Sequence, residues 1–519
     1  MIVRDEADSL PRALRSCQGV VDEVVVVDTG SRDATLEIAH RFGAVTRCVE
    51  WADDFAAARN HSLALARGEW ILVLDADEEL TPEARQRLPL LLDTAAAEGY
   101  MVQIVSPTDS ERLLGAEQSA ALRLFRNRPG HRFEGALHEQ VAPSILRTNP
   151  QAILAGSEIQ ILHHGYQDAV RRAKGKHERN LRILQRMLAA DRWDGFVHCN
   201  LGVEAVAAGR HADAALLFQT AIDLAPAEAG WRSRAVKYGA IVLGELGRWP
   251  EAQALLAAEL PRYPRYTDLY YLNGLTLHRL GQHEGAANAF RQCEALGPAP
   301  CPPYNSVSPD LGGPKACCAL GLVLEEQGRL AEAAQAYMRA LQGTGASREP
   351  LEHLARLLER AGGREALREQ VGAFADAQSP AAAMTLAGLF ARIQRFDVAL
   401  RCAESAQVRG HEGADAAQLV ALCHYQSGRY KEALRACKRA AGATEDAAAV
   451  MALRCACLLH TGDTRAARAV FRGTKPPDFF TQLALLLRDE PPEQLGTYLQ
   501  LLPDLGSLRA ALAAESHSM

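Results

Sequence analysis

Two aspartates at the end of an apolar run have the residue type and spacing to hold a cation. Asp75 and Asp77 directly follow the apolar residues 71–74, and Gly68 precedes that run. A short apolar run between glycine and charge predicts a buried strand, and open α/β sheets bind ligands beyond the carboxyl ends of their strands. Carboxylates at this spacing can share a hard divalent cation with substrate phosphates. The pattern therefore predicts a cation site, with a plain acidic strand end as the structural alternative.

A second group of titratable side chains follows a strand-like run at residues 121–126. Glu134, His138 and Glu139 lie in one predicted loop after it. Such groups can act as a general base or bind a cation, although each also fits a solvated loop or a structural histidine. His163 and His164 have no acid or cysteine at metal-ligand spacing and receive no role.

The elements that must position these residues alternate between strand and helix. Apolar and β-branched runs predict strands at residues 1–3, 24–27, 45–49 and 71–74. Amphipathic segments between them predict helices at residues 9–17, 34–42 and 53–66. This order predicts a mostly parallel sheet with crossover helices. The second strand ends in Asp28, Gly30 and Ser31, which fits either a ligand loop or an ordinary turn and helix cap.

From about residue 169 onward the chain has a helical pattern with an internal repeat. Alanine follows five residues after Gly209, Gly247, Gly281, Gly328, Gln394, Gly428 and Gly462, and several of these positions are 34 residues apart. That period is typical of a tetratricopeptide array. We expect roughly eight repeats in a right-handed solenoid, one of them degenerate near Gly362, with an insertion at residues 298–314.

Length and charge limit the classes of function. A chain of 519 residues is expected to form several domains. A net charge of −6 gives no electrostatic basis for binding nucleic acid or an anionic membrane. No apolar run approaches the roughly 18 residues of a membrane span, and the first residues do not resemble a signal peptide. The sequence therefore predicts a cytoplasmic protein with no membrane span.

Taken together, the two halves resemble a known family. The amino-terminal third is similar to the family 2 glycosyltransferases with a GT-A fold, and in particular to the bacterial members fused to tetratricopeptide repeats, which include peptide S- and O-glycosyltransferases. The similarity runs in order across about residues 1–190, in the stretches MIVRDEADSL, VDEVVVVDTGSRDAT, WADDFAAARNHSLALARGEWILVLDADEEL, RLFRNRPGHRFEGALHEQV and GYQDAVRRAKGKHERN.

The resemblance implies a site for a nucleotide-diphosphate sugar, with a UDP-sugar as the expected donor. It places the base and ribose near Asp28 and Ser31, and Arg59 near the nucleotide or its diphosphate. Asp77 would bind the divalent metal, Mn²⁺ or Mg²⁺, directly, and Asp75 would hold the ribose or a metal-bound water. Arg4 and Glu6 are further, weaker candidates for this pocket, because Asp5 stands where the family usually has asparagine.

The family's reaction is single displacement with inversion, which requires one carboxylate as the base. Glu139 ranks above Glu134 because it adjoins His138, which would complete the metal shell or bond the diphosphate. The acceptor is expected to be a polypeptide or a glycan recruited on the concave face of the repeats, which is a surface for protein partners. A homo-oligomer is also possible.

The sequence divides into an α/β domain and an all-α part. The predicted α/β domain has the GT-A (Rossmann-like) fold and spans residues 1–165. A basic connecting helix at 166–195, the tetratricopeptide solenoid at 196–475 and a helical cap at 476–519 follow it. The basic helix is expected to have a solvated face, or else to dock the two parts or contact the diphosphate.

Two other functions remain open. A protein whose degenerate transferase domain serves only as a scaffold would explain the very short first strand. A nucleotidyltransferase shares the sheet and the acidic pair, but it would be expected to carry a Gly-rich basic loop after that strand, where residues 4–8 are mostly acidic.

Overall fold

The computed structural model describes residues 1–93, 97–106, 117–164, 169–226, 229–304, 306–341, 348–411, 413–440, 447–472 and 478–487. The chain forms two compact units, Met1–Gly328 and Arg329–Met519. The first contains both sheets and the first helix pairs, and the second is helical throughout its described part. Among the described helices, none is long and apolar enough to cross a lipid bilayer.

A three-stranded parallel sheet opens the first unit. Its strands are β1 (Ile2–Val3), β2 (Val25–Asp28) and β3 (Val45–Cys48), in that order. The helices α1 (Leu10–Cys17) and α2 (Thr35–Arg41) make the crossovers that parallel pairing requires. Although β1 has only two residues, its Val3 pairs with Asp28, so the short first strand does form.

A second sheet has five strands in the order β4-β7-β6-β8-β5. These are β4 (Trp70–Leu72), β5 (Glu78–Leu80), β6 (Gly99–Ser106), β7 (Glu117–Arg126) and β8 (Leu154–His163). Three helices accompany them: α3 (Phe55–Leu63) precedes β4, α4 (Pro82–Asp93) follows β5, and α5 (Ala142–Thr148) precedes β8.

The second sheet corrects one detail of the sequence prediction. Residues 71–74 were expected to form a strand of a mostly parallel sheet, but β4 pairs antiparallel with β7. The pairs β6–β7 and β5–β8 are antiparallel as well, and β6–β8 is parallel. The reason is that the alternation of strand and helix ends at α4, and a strand that returns without a crossover helix pairs antiparallel. The α/β class itself is confirmed.

Helices fill the rest of the first unit. They are α6 (Ala169–Ala190), α7 (Gly195–Ala207), α8 (His211–Leu224), α9 (Arg232–Glu245), α10 (Trp249–Glu259), α11 (Thr267–Arg279), α12 (His283–Leu296) and α13 (Pro314–Glu326). Gly209 and Gly281 turn the chain between paired helices with φ of 71° and 72°, which a side chain would strain. Phe218 and Phe290, nine residues after these glycines, are fully buried between the helices.

The loop between α12 and α13 joins the helices to the second sheet. Val307 exchanges two backbone hydrogen bonds of 2.8 Å with Gln118 at the start of β7. On the helical side, Lys237 forms a buried ion pair with Asp268 at 2.7 Å, and its ammonium also donates to the hydroxyl of Ser306 at 3.1 Å. The loop is therefore held from both sides.

The second unit continues with helices. They are α14 (Leu330–Ala340), α15 (Arg348–Asp376), α16 (Pro380–Arg392), α17 (Phe396–Val408), α18 (Ala414–Gln426), α19 (Tyr430–Ala440), α20 (Ala447–His460), α21 (Thr464–Arg472) and α22 (Phe479–Leu487). Where the sequence predicted a degenerate helix pair around Gly362, the structure has the single 29-residue helix α15. Of the predicted cap, α22 is described, and residues 488–519 lie outside the described part of the chain.

Candidate active site

The acidic pair lies in a short segment that crosses from one edge of the second sheet to the other. β4 ends at Leu72 and β5 begins at Glu78, at opposite ends of the strand order. Val73 still donates a backbone hydrogen bond to Arg123 of β7, and Glu78 donates one to the carbonyl oxygen of Asp75. Asp75 and Asp77 therefore occupy a turn beyond the strand end, as the sequence predicted.

Asp75 is held by two arginines. Its Oδ1 accepts from Arg59 Nη2 at 2.7 Å and its Oδ2 accepts from Arg123 Nη2 at 3.0 Å. Burial alone would raise the pKa of this carboxyl, but Arg123 and Arg59 together hold it well below its ordinary value. Asp75 therefore remains ionised, and the positive charges of Arg59 and Arg123 balance its negative charge. Its side chain is 30% exposed.

Arg59 connects this aspartate to the candidate base. The helix α3 begins at the cap Asp54, whose carboxylate accepts from the backbone N–H of Ala57 at 2.8 Å. Arg59, in the middle of that helix, also donates from Nε to the carboxylate of Glu139. The family resemblance places Arg59 near the nucleotide or its diphosphate, and in the structure its buried guanidinium bonds two carboxylates at the wall of a cavity.

Arg123 and Glu78 belong to the same network, although neither was a candidate in the sequence analysis. Arg123 Nη2 lies 3.2 Å from Glu78 Oε1, and Glu78 Oε2 accepts from the backbone N–H of Asp75 at 2.8 Å. Burial raises the pKa of Glu78 to about 7, with Arg123 opposing that shift and Asp75 adding to it. The only signal in the sequence was the alternation of arginines with apolar residues along β7.

The second aspartate faces a histidine that the sequence left without a role. Strands β5 and β8 pair so that Glu78 is opposite His163, which brings His163 Nδ1 to 3.7 Å from Asp77 Oδ1. This nitrogen is buried and finds no hydrogen-bond partner among the described residues. A ring nitrogen and a carboxylate oxygen at this separation fit a divalent cation between them. Sequence spacing could not show that Asp77 lies near His163, because β8 is far from Asp77 along the chain.

Glu134 and His138 have different surroundings. The carboxylate of Glu134 bonds Arg147 and lies 3.4 Å from Arg132, and these arginines lower its pKa. Within the described part of the chain, Glu134 does not line the cavity that contains Glu139. His138 does line it, has φ of 56° and packs edge-on against Phe196.

Asp28 and Ser31 hold their own loop together. Asp28 is almost fully buried, and its carboxylate accepts from the backbone N–H groups of Gly30 at 3.0 Å and Ser31 at 3.1 Å, and from the Ser31 hydroxyl. Ser31 Oγ in turn accepts from the backbone N–H of Asp5 at 2.9 Å, which joins this loop to the one after β1. Both residues stand at the carboxyl end of the parallel sheet. The lining of the cavity near Asp75 does not include them within the described residues.

That cavity has a volume of about 560 Å³ and lies between the second sheet and the first helices of the repeat. Asp75, Arg59 and Glu139 form part of one wall. The lining also includes cations and aromatic rings from helices α6 and α7 and from the start of α9, namely Lys176, Arg179, Phe196, Trp231 and Arg234. A cavity of this size that combines charged and aromatic groups is typical of small-molecule sites.

The basic helix α6 contacts both the α/β domain and the cavity. Arg182 makes two hydrogen bonds of 2.8 Å with the carboxylate of Asp53, and Arg186 donates to the carbonyl oxygen of the same residue, so this end of the helix docks onto the α/β domain. Closer to the cavity, Arg179 stacks over Phe55, and its Nε has no hydrogen-bond partner within the structure described. The predicted docking role is thus observed for Arg182 and Arg186.

Comparison with known proteins relates this geometry to a family. Residues 1–146 match the model of glycosyl transferase family 2, and residues 239–299, 314–342 and 384–450 match tetratricopeptide repeat models. A TPR repeat-containing protein of Synechococcus elongatus is 43% identical over 206 residues, which are 39% of this chain and 50% of that protein. The prophage-derived glycosyltransferase SunS of Bacillus subtilis is 26% identical over 190 residues, which are 36% of this chain and 44% of that protein.

The chain therefore spans about half the length of the curated relatives it matches. Among solved structures, a crystal structure of MamA gives a TM-score of 0.28 at 21% identity, covering 36% of this chain and 95% of that one. The family matches agree with the order of elements described above. The amino-terminal domain of this chain thus matches the family 2 glycosyltransferases, and segments that match tetratricopeptide repeats follow it.

Proposed function

We propose that this protein is a metal-dependent, inverting glycosyltransferase that moves a sugar from a nucleotide-diphosphate donor to a polypeptide or glycan acceptor. The observation that carries the proposal is the cavity whose lining combines Glu139 and Asp75 with cationic side chains from helices α6 and α9. Transfer from a diphosphate requires both kinds of group, because negative charge develops on the leaving group while the acceptor loses a proton.

Asp77 and His163 are the residues proposed to hold the cation. The orphaned nitrogen of His163 and the partly exposed carboxylate of Asp77 support this assignment. A bound Mn²⁺ or Mg²⁺ would supply Lewis-acid neutralisation of the diphosphate. Asp75 would then act mainly through Arg59 and Arg123, because both of its carboxylate oxygens already accept hydrogen bonds from these arginines.

Glu139 is proposed as the base. In the transfer step the acceptor heteroatom forms a bond to the anomeric carbon while the bond from that carbon to the diphosphate oxygen breaks. The nucleoside diphosphate leaves with the electron pair, and Glu139 takes the acceptor's proton. Arg59 fixes the orientation of Glu139, whose side chain is only 10% exposed. Glu134, which bonds Arg147 at the surface, lacks such a position.

The cations that line the cavity with Glu139 are proposed to attract the donor. Lys176, Arg179 and Arg234 line the same cavity and come from helices that follow the family 2 domain. Cations in a concave site favour a diphosphate over a neutral ligand. The first repeat helices would therefore complete the donor site, and the rest of the array would present the acceptor, as helical repeats commonly do for polypeptides.

The proposal is tested by measuring donor turnover. Purified protein is incubated with UDP-, GDP- and dTDP-sugars, with Mn²⁺, with Mg²⁺ or with a chelator, and release of the nucleoside diphosphate is recorded together with the melting temperature. We expect one donor to be hydrolysed slowly and to stabilise the protein only when metal is present. If no donor is turned over or bound under any condition, the protein is a scaffold with an inactive transferase domain.

A further inference from the structure

Three side chains from successive helices of the first unit meet at one point of the surface. His278 lies in the last turn of α11, His283 is the first residue of α12, and Glu326 is the last residue of α13. One nitrogen of each imidazole and one carboxylate oxygen all lie within 4.8 Å of one another. This cluster lies in helices that the family 2 match does not include and plays no part in the proposed transfer.

The polar atoms of the cluster are incompletely satisfied. His278 Nε2 lies 2.6 Å from Glu326 Oε2, which accounts for one imidazole. His283 Nδ1 lies 3.4 Å from the same oxygen, yet this nitrogen is buried and makes no hydrogen bond to any residue in the described ranges. A buried ring nitrogen that faces a carboxylate without bonding it is suited to bind a metal, since neutral imidazole is the commonest metal ligand.

The chain contains its own comparison for this cluster. His211 is the first residue of α8 and Glu245 is the last residue of α9, so they hold the places of His283 and Glu326 four helices, or two helix pairs, earlier. They form an ion pair with His211 Nδ1 2.7 Å from Glu245 Oε2, and this nitrogen too has no hydrogen bond within the described residues, so the two positions differ in the number of ligands. Val206 stands five residues before His211, where His278 stands before His283. The earlier position therefore has a histidine–glutamate pair, and the later one has three ligands.

We propose that His278, His283 and Glu326 form a binding site for Zn²⁺. Two imidazoles and one carboxylate are a ligand set that zinc uses with a water in the fourth tetrahedral position. Ligand atoms about 2.0–2.2 Å from a tetrahedral zinc are a little over 3 Å apart. The cluster needs only side-chain rotation to reach that spacing, because all three side chains are at least a quarter exposed.

Metal at this point would join three consecutive helices of the array. The zinc would link α11, α12 and α13, and it would hold α13 against the helix pair before it. The oxygen-rich and partly exposed Asp77 position favours Mn²⁺ or Mg²⁺, whereas a site with two imidazoles favours a softer ion. The two sites are therefore expected to respond to different metals.

The experiment uses the full chain without a histidine tag, after removal of metal by a chelator. The Asp77→Ala/His163→Ala background removes the proposed catalytic cation site, and Zn²⁺ binding is measured by titration calorimetry and by the melting temperature. Binding of Co²⁺ in place of zinc gives a visible spectrum that distinguishes nitrogen and oxygen ligands from thiolates. We expect the Co²⁺-bound protein to show a visible spectrum without thiolate charge-transfer bands. We also expect zinc to raise the melting temperature.

Matched variants decide the assignment. His278→Ala and His283→Ala should each weaken zinc binding at least tenfold and abolish the zinc-dependent rise in melting temperature. His211→Ala, which removes the two-ligand pair, should leave both unchanged. Circular dichroism without metal checks that each variant folds, and Glu326→Gln, which retains the shape of the side chain, provides a third test. Zinc affinity equal to that of the parent in both histidine variants would overturn the proposal.

Discussion

Arg59 Nη2 lies 2.7 Å from Asp75 Oδ1, and the same guanidinium donates to Glu139 through Nε. The buried guanidinium of Arg59 therefore fixes both the first acid of the turn and the proposed base. The planar fork of arginine suits this arrangement because its donors point in set directions, which a lysine ammonium cannot reproduce.

Replacing Arg59 should therefore affect stability and activity together. Arg59→Met removes the shared partner of the partly buried Asp75 and Glu139, while Asp75 keeps Arg123, so the loss should not exceed the cost of breaking a buried pair, about 3–5 kcal/mol. Arg59→Lys should recover part of the free energy of unfolding but not the transfer rate, because one ammonium cannot orient both carboxylates. Urea unfolding and donor turnover measure the two effects. Arg87→Lys is the control, because its pair with Glu158 is exposed.

Glu139→Gln should reduce transfer by a factor of about 10²–10⁴, the usual contribution of a general base. Donor binding should be retained, because the amide has nearly the same shape as the carboxylate. Glu134→Gln, the matched change in the same loop, should alter the rate less than threefold or so, since that carboxylate bonds surface arginines. Equal losses in the two variants would contradict the choice of base.

Asp77→Ala and His163→Ala should each abolish the stabilisation by Mn²⁺. The melting temperature rises with a ligand that binds the native state alone, so removal of either ligand lowers the rise measured at a fixed metal concentration. His164→Ala is the neighbouring control, because His164 Nε2 bonds Glu79 at 2.9 Å instead. A normal response to Mn²⁺ in His163→Ala would remove this residue from the site.

Glu78 should make the first unit less stable as the pH rises. Its pKa is about 7 in the folded chain against an ordinary 4.5, so the native state keeps a proton that the unfolded chain has released between these values. The free energy of unfolding contributed by this group therefore falls from about pH 4.5 to 7 and is level above that range. Glu78→Gln should flatten the pH dependence of urea unfolding in this window relative to the parent protein, and an unchanged slope in the variant would contradict the prediction.

Gly274→Ala should destabilise the helix pair α11–α12. A methyl group there would lie 2.6 Å from the ring of the buried Phe290. Overpacking typically costs about 1–3 kcal/mol, which exceeds the roughly 1 kcal/mol that alanine gains over glycine in a helix. Gly388→Ala in α16 is the control, since its methyl group meets nothing within 4 Å, and it should be neutral or stabilising. Thermal unfolding of both variants checks the contrast.

Local patterns predicted much of the fold. The predicted helices at residues 9–17, 34–42 and 53–66 and the glycine–alanine repeat all depend on residues close in sequence, and the structure has helices at these places. Pairing of strands is not local. Nothing near residues 71–74 shows that β7 would lie beside them, so the antiparallel pairing of β4 was missed.

The candidate site shows the same contrast between features set by neighbouring residues and features set by distant ones. The acidic turn could be read from adjacent residues, and the family resemblance drew attention to Glu139. The partners of these acids could not be found, because Arg123 and His163 reach Asp75 and Asp77 only through the pairing of β4 with β7 and of β5 with β8. The environment of Arg59 was likewise hidden, since Glu139 is 80 residues away from it.

The two backbone hydrogen bonds between Gln118 and Val307 affect how chimeric proteins should be built. A chimeric protein that joins residues 1–165 to another helical array would lack the segment that pairs with the start of β7. That edge would then offer unpaired amide and carbonyl groups to other molecules, which favours aggregation. A graft that retains the loop between α12 and α13, with the helices that anchor it, avoids this exposure.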